Sequence, residues 1–389
     1  MAFHKTHPWL RFAVDLRSMP VEFWLLLGEV RSKCEHLSDA PILPETAAEL
    51  RRVYLAKGAA ATTAIEGNTL TEEEVRRRLE GQLELPPSME YLGLEIDNFV
   101  AAVTAARAEV ENAKFRLRPE FIRDANRRIL ADLKLAEGVV PGEFRAHSVT
   151  VERYLGAPAR ELEYLVDRLC DWLNELSLTH EPSRIRQPGV IAGVIRGVLA
   201  HLYLEWIHPF GDGNGRTARF VEYSLLVSAG VPTTAAHLLS NHYNQTRAEY
   251  YRQLDAASRS GGDVGPFLSY AVTGFVDQLT LQLGRLHEQH RLLVWRTHVD
   301  DCFPGKRSGG DERQRALVLA LTERGAAVAL ADVPDLDAVV ARAYATRTSK
   351  TLTRDLQRLE QLGLVERSSL GVRARTEIVA GLQPGRSAD

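Results

Sequence analysis

Twelve consecutive residues constrain this chain most: His208-Pro209-Phe210-Gly211-Asp212-Gly213-Asn214-Gly215-Arg216-Thr217-Ala218-Arg219. Gly211, Gly213 and Gly215 alternate with polar residues, and glycine lets a backbone take positive φ and approach a ligand closely. Successive N–H groups in such a loop form an anion-binding concavity. An apolar helical stretch, Phe220 to Val227, follows. The loop therefore opens a helix, whose first turn points free N–H groups at anions. Arg216 and Arg219, three apart, are neighbours on that helix. Two guanidinium forks beside a glycine nest suit a di- or triphosphate. Asp212 suits Mg²⁺, which takes carboxylates together with phosphate oxygens. His208, where the preceding helix ends, is a general base suited to neutral pH. No GK[ST] follows the glycines and no strand precedes them, which excludes a Walker loop and a dinucleotide-binding turn.

Most of the chain reads as helix. Leu50, Val53, Tyr54 and Lys57 recur at helical spacing, as do Ile191, Val194, Ile195, Val198, Leu199 and Leu202. One early strand candidate runs from Ser148 to Tyr154, with Val149 and Val151 alternating. Breaks at Pro86-Pro87 and in the Gly/Pro/Ser-rich segment from Cys302 divide the chain. The expected parts are an N-terminal helical region over 1–88, a central domain with a trailing helix over 89–301, a linker over 302–311, a C-terminal module over 312–380 and a flexible tail over 381–389. A net charge of -3 hides any basic module from a whole-chain count. Cys34, Cys170 and Cys302 form no CxxC pair, so neither a disulfide framework nor a cysteine zinc site is expected. No apolar run is read as approaching the ~20 residues that span a bilayer, and no signal peptide opens the chain. A cytoplasmic protein without a membrane partner is the expectation.

The glycine-rich stretch resembles the Fic motif, HPFx[D/E]GNGRxxR, at every defined position. Pro141-Gly142-Glu143-Phe144-Arg145 with Val149 and Val151 resembles that family's PGxxR segment leading into its flap hairpin. Tyr250-Tyr251-Arg252-Gln253-Leu254, after Arg247, resembles its RxxYYxxL helix. The fold implied is mainly α, a helical bundle with a small β-hairpin flap, over about residues 90 to 280. The implied activity is transfer of AMP from ATP to a Ser, Thr or Tyr hydroxyl of a target protein. In that reading His208 deprotonates the hydroxyl and Asp212 holds Mg²⁺. Gly213, Asn214 and Gly215 form the anion hole, with the Asn214 side chain steadying the phosphate, and Arg216 and Arg219 grip the β- and γ-phosphates. Phe210 anchors the loop. Tyr250, Tyr251 and Leu254 border the adenine. Val149, Thr150, Val151 and Glu152 of the flap pair with the target by β-augmentation. Ser258 stands where the family often has Asn, and it offers the adenine edge fewer hydrogen bonds. A homodimer is compatible with this reading.

Glu45 to Glu66 reads as a helix that Gly67 or Asn68 caps, and the next helix starts at Thr71 with Glu74 completing a capping box. Glu66 then sits at a helix C-terminus, where the macrodipole disfavours a carboxylate and a compensating partner is expected. Thr62, Glu66 and Gly67 match the family's [S/T]xxxE[G/N] inhibitory motif. The resemblance implies that Glu66 occupies Arg219, blocks the γ-phosphate position and restrains the enzyme in cis. It also allows Glu66 to activate water for AMP removal.

Residues 312 to 380 differ in style. Helices are expected from Glu312 to Arg324, from Leu336 to Ala343 with Asp335 as cap, and from Thr348 to Gly363. Strands follow at Leu364 to Arg367 and Val372 to Val379. That order resembles a winged helix-turn-helix. Residues 342 to 375 hold eight basic and three acidic side chains, which suits DNA contact through Arg347, Ser349, Lys350, Arg354 and Arg358, with Arg373 and Arg375 on the wing. A protein-contact module is the alternative. Two other whole-chain readings compete: a different phospho- or nucleotidyl transferase of the same fold, and an ATP-sensing DNA-binding regulator. The glycine at position 215 speaks against a kinase-type site, and His208 against a mere sensor.

Overall fold

The computed structural model describes residues 3–40, 44–112, 114–147, 150–151, 154–176, 189–305 and 308–379. The chain divides into two compact units, Met1–Leu283 and Gly284–Asp389.

The first unit is helical. In order it contains α1 (Phe3–Thr6), α2 (Val21–Asp39), α3 (Pro44–Ile65), α4 (Glu72–Leu79), α5 (Glu90–Val110) and α6 (Pro119–Ile129). A hairpin of β1 (Thr150–Val151) and β2 (Tyr154–Leu155) follows. Then come α7 (Leu162–Glu175), α8 (Gly189–Ile207), α9 (Asn214–Ser228), α10 (Leu238–Gln245), α11 (Arg247–Arg259) and α12 (Gly265–Asp301), the last part of which belongs to the second unit. β1 and β2 run antiparallel, with Thr150 opposite Leu155 and Val151 opposite Tyr154. The expected strand is thus a short hairpin; Val149 and Glu152 lie outside the described residues.

Helix α8 organises the core. Val194, Ile195, Val198, Leu199 and Leu202 are fully buried, and α8 packs more extensively on α9 than any other pair of elements does. A helix apolar on all sides belongs in a core or a bilayer. With 19 residues and a mean hydropathy of 1.5, α8 is long and apolar enough to cross a membrane. This corrects the expectation that no run reaches that length. The cause is that Arg196, His201 and Glu205 are too few to break it.

The junction after α3 is set by local chemistry. Gly67 has φ +101°, a conformation that a side chain rarely tolerates. Its N–H bonds Ala64 O at 3.0 Å, and Asn68 N–H bonds Thr63 O at 3.1 Å, a Schellman closure. The capping box at Thr71 and Glu74 then starts α4, a pairing worth about 1 kcal/mol. Leu70 and Val75 are both buried beside it. Glu66 is thereby fixed as the last residue before the turn.

The second unit holds α13 (Gly309–Arg324), α14 (Ala338–Tyr344), α15 (Ser349–Gln361), β3 (Val365–Ser368) and β4 (Gly371–Ala374). Val328 bridges Val372 beside the hairpin. Trp295, Val299 and Phe303 are buried in this unit's core with Leu317, Leu356 and Val372. The division between units therefore precedes the expected linker at 302–311. The order of elements is as expected, but three boundaries move. Helix α13 starts earlier, because Ser308 and Asp311 form a capping box. Asp337, whose side chain accepts from Val340 N–H, caps α14, whereas Asp335 closes a short 3₁₀ turn. The last strand stops at Ala374, since Thr376–Val379 turns into 3₁₀ helix.

Candidate active site

The loop between α8 and α9 is built to expose its backbone. His208 adopts φ +50°, which is uncommon outside glycine and marks a constrained position. Gly213 takes φ +73° as the residue before α9. Asn214 shapes the turn between them. Its Oδ1 accepts from Phe210 N–H and its Nδ2 donates to Phe210 O, both at 2.9 Å. Both ends of that amide bond the loop backbone, and one Nδ2–H of its two is used in doing so. Phe210 is buried and pairs with Phe144 in a β-bridge, as an anchor does.

Two residues outside the glycine-rich stretch, Asn126 and Arg145, hold the loop from outside. Asn126 of α6 donates to Asp212 O at 3.0 Å and to Thr217 Oγ1 at 3.2 Å, and its Oδ1 accepts from Gly142 N–H at 2.9 Å. Arg145, buried, donates to His208 O at 2.8 Å, to His147 O at 2.7 Å and to Ala157 O at 2.5 Å. The PGxxR segment thus serves as a brace for the loop. Only Arg145 carried a signal, as the motif's last position; Asn126 lies 86 residues before Asp212 and carried none.

His208 presents a neutral imidazole. Burial is the main cause that lowers its pKa from 6.5 to about 4, and Arg145 adds to it. Its Nδ1 has no hydrogen-bond partner among the described residues. Asp212 is half-exposed, and its Oδ1 accepts from Gly213 N–H and from Arg216 at 3.1 Å. Arg216 is buried and also bonds Glu95 of α5 at 2.8 Å. Glu95 in turn accepts from Asn68 Nδ2 at 2.9 Å, just past the α3 turn.

Arg219 is wholly buried. Its Nη2 donates to Glu66 Oε1 at 2.5 Å and to Thr62 O at 3.0 Å. Its Nε and Nη1 have no partner among the described residues. A buried cation with open donors is costly unless an anion meets it. Burial alone would lift the Glu66 carboxyl, but Arg219, with Arg216 and His208, outweighs it and holds the pKa below its ordinary value. A Cβ placed on Gly215 would come within 2.1 Å of Glu66 Oε1. The carboxylate therefore lies in the nest of the glycine loop, against both Gly215 and Arg219.

The Tyr-Tyr helix stands differently from the expectation. Tyr250 is buried and its hydroxyl bonds His201 Nε2 at 2.8 Å. His201 Nδ1 meets Glu222 at 3.2 Å, and Tyr243 donates to the same carboxylate at 2.9 Å. Tyr250 belongs to this buried network rather than to a pocket wall. Tyr251 and Arg247 reach the carbonyls of Ile65 and Ala64 at 3.4 and 3.3 Å. These are among the orphan carbonyls that end α3. Leu254 is half-buried against the core. Ser258 Oγ donates to Asp255 O within its own helix.

Known proteins are similar to parts of this chain. A family model described as the Fic/DOC family matches residues 116–226. The protein named protein adenylyltransferase fic-1 from Caenorhabditis elegans is 30% identical over 245 residues, 62% of this chain and 43% of that protein. Protein adenylyltransferase Fic from Drosophila willistoni is 32% identical over 215 residues, 54% of this chain and 38% of that protein. The chain thus spans less than half the length of these curated relatives. Among solved structures, Fic-1 of C. elegans superposes with a TM-score of 0.56 at 25% identity, over 69% of this chain and 74% of that one. A Fic family protein from Desulfovibrio desulfuricans G20 shares the fold at a TM-score of 0.55 and 21% identity, over 94% and 93%. The motif is complete from His208 to Arg219, the fold is shared, and residues 116–226 match the Fic/DOC family model.

Proposed function

We propose that this chain is a protein adenylyltransferase that moves AMP from ATP onto a hydroxyl side chain of a protein, and that Glu66 restrains it. The observation that carries the reading is the Glu66 carboxylate seated against Gly215 and Arg219. An anion already occupies a nest whose donors suit a phosphate. The names of the curated relatives support the chemistry.

In the reaction, the hydroxyl oxygen attacks the α-phosphorus as His208 accepts the hydroxyl proton. The bond from the α-phosphorus to the bridging oxygen breaks, and pyrophosphate leaves. Loop N–H groups from Gly213 onward meet the charge that builds on the α-phosphate oxygens, a role worth several kcal/mol when donors are preorganised. Arg216 and Arg219 would hold the terminal phosphates once Glu95 and Glu66 yield. Asp212 fits Mg²⁺: it is half-exposed, its Oδ1 bonds Gly213 N–H and Arg216, and one carboxylate with phosphate oxygens is a common Mg²⁺ site. Bound there, the ion would neutralise phosphate charge. The hairpin β1–β2 would offer an edge to an extended target segment. The test is the intact mass of the full chain after incubation with ATP and Mg²⁺. An AMP adduct that requires His208 supports the reading, whereas a phosphate adduct would mean a kinase.

A second reading concerns the C-terminal unit. Arg347, Lys350 and Arg354 are exposed and have no carboxylate partner among the described residues. Arg358, Arg373 and Arg375 do have one, in Asp311, Glu366 and Glu377. Three open cations at the start of one helix suit a phosphate backbone, so we propose that this unit contacts DNA as a winged helix.

A further inference from the structure

The turn after α3 reaches both arginines of the glycine-rich motif. Glu66, on one side of Gly67, meets Arg219. Asn68, on the other side, reaches Arg216 through Glu95 of α5. Both ends of the Asn68 amide are committed. Its Oδ1 accepts from Leu70 N–H at 3.1 Å, and its Nδ2 donates to Leu92 O and to Glu95 Oε2, both at 2.9 Å. Glu95 therefore has Oε2 on the turn and Oε1 on Arg216 Nη1 at 2.8 Å. Its side chain is 16% exposed, and Arg216 is buried. A shielded carboxylate bonded through both oxygens is held rigidly in place.

We infer that Glu95 is a positioning residue that sets the affinity of the site for phosphate: a second fixed carboxylate, which competes with a terminal phosphate for Arg216 as Glu66 does for Arg219. The inference rests on the reading of Arg216 as a phosphate ligand. Two carboxylates already share this guanidinium. Glu95 takes Nη1, and the half-exposed Asp212 takes Nη2 at 3.1 Å. A phosphate that arrives beside Asp212 meets a cation whose charge Glu95 has neutralised from behind. Charges in a shielded site are weakly screened, so the Glu95 carboxylate also repels the phosphate directly.

An ordinary structural ion pair and a competitor differ in sign. Removing a merely structural Glu95 would loosen α5 against α9 and weaken ligand binding or leave it alone. Removing a competitor leaves Arg216 as a buried cation short of a counter-charge, which is costly, and an arriving phosphate recovers that cost. Phosphate ligands then bind more tightly, and they stabilise the altered chain more than they stabilise the parent.

The test is titration calorimetry of the full chain with three probes: ATP with Mg²⁺, pyrophosphate with Mg²⁺, and adenosine. Glu95→Gln keeps the size of the side chain and removes its charge. It is expected to raise the affinity for ATP and for pyrophosphate about tenfold and to leave adenosine within about twofold. Glu95→Ala, which removes the acceptor as well, should give the same selective gain. With Arg216→Ala already present, the gain from Glu95→Gln should fall below about threefold, because Glu95 acts through that arginine. Unchanged or weaker binding of ATP and pyrophosphate by both Glu95 variants would overturn the inference, as would an equal gain for adenosine. Binding is read without any transfer of AMP, so a chain that binds ATP and transfers nothing would fail the proposed activity and leave this inference standing. An Arg216→Ala protein that binds ATP as the parent does would overturn both the phosphate reading of that arginine and the role of Glu95.

Discussion

The carboxylate of Glu66 stands 2.5 Å from the guanidinium of Arg219, although 153 residues separate them. It closes α3 onto the first turns of α9. The arginine is fully buried, while about a third of the glutamate side chain reaches solvent. Replacing Glu66 frees a cation that the nest of the loop then offers to a terminal phosphate. Glu66→Gly is expected to raise AMP incorporation into the chain itself by ~10–100-fold, the gain from removing a bias of about 1.4–2.8 kcal/mol. Intact mass at equal ATP and Mg²⁺ measures it. The gain should vanish when Arg219→Ala is added. Equal incorporation by parent and Glu66→Gly would leave Glu66 an ordinary helix-end residue.

Contiguous features were legible in the sequence, and long-range ones were not. The loop from His208 to Arg219 is one unbroken stretch, and its chemistry follows from residue types and spacing. Glu66 was legible because a helix end, a capping glycine and a following capping box surround it. Asn126 and Glu95 left no such trace. Each lies on an ordinary amphipathic helix, and only packing brings them to residues 86 and 121 positions away. Tyr250 misled for the opposite reason. Its motif position suggested a pocket wall, but His201 and Tyr243, whose partners a local pattern does not reveal, draw it inward.

Two histidines, the partly buried His208 and the buried His237, should make stability fall in mild acid. Burial lowers the His208 pKa from 6.5 to about 4 and the His237 pKa to about 3. For each, the folded value lies below the unfolded one. The unfolded chain therefore binds the extra proton as pH falls below 6.5, and stability is present in full above that pH and lost on the way to 4 or 3. The slope is at most about 1.4 kcal/mol per pH unit for each group. By pH 5 each has removed at most about 2 kcal/mol. Calorimetric melting at pH 7 and pH 5 should show a larger drop in the parent than in His208→Ala or His237→Phe. Parallel drops in all three would mean that neither histidine is held neutral.

Nucleic acid binding by the second unit has a salt signature. Arg347 and Lys350 are exposed at the start of α15 and have no carboxylate partner among the described residues. Each phosphate contact contributes about 0.9 to the slope of log affinity against log salt. Arg347→Ala with Lys350→Ala should lower that slope by about 2, measured by fluorescence anisotropy on a duplex, and leave AMP incorporation unchanged. If the parent binds no duplex at low salt, the unit contacts protein instead.

Gly215→Ala tests the position of Glu66 without touching either partner of the ion pair. Gly215 lies in the first turn of α9. On helix propensity alone, alanine there should stabilise the chain by about 0.5–1 kcal/mol. The structure predicts the opposite sign. The new methyl would fall 2.1 Å from Glu66 Oε1 and 3.1 Å from Arg219 Nη1. The backbone of α9 is fixed by the Asn214–Phe210 bonds, so the tip of the glutamate side chain has to move. It leaves Arg219 with a buried charge that has lost its counter-ion, and removing one partner of such a pair costs up to 3–5 kcal/mol in full burial. Partial exposure of Glu66 lowers that figure, and a loss of about 1–2 kcal/mol is expected. The same loss should already be present in Glu66→Gly, so the double variant should be scarcely less stable than either single one. That non-additivity is the signature of direct contact. The methyl also narrows the nest, so ATP affinity should fall at least about tenfold, where Glu66→Gly leaves it intact or improved. Denaturant unfolding of the four proteins in the cycle measures the coupling. A stabilised Gly215→Ala protein, or simple additivity with Glu66→Gly, would place the Glu66 carboxylate outside the nest.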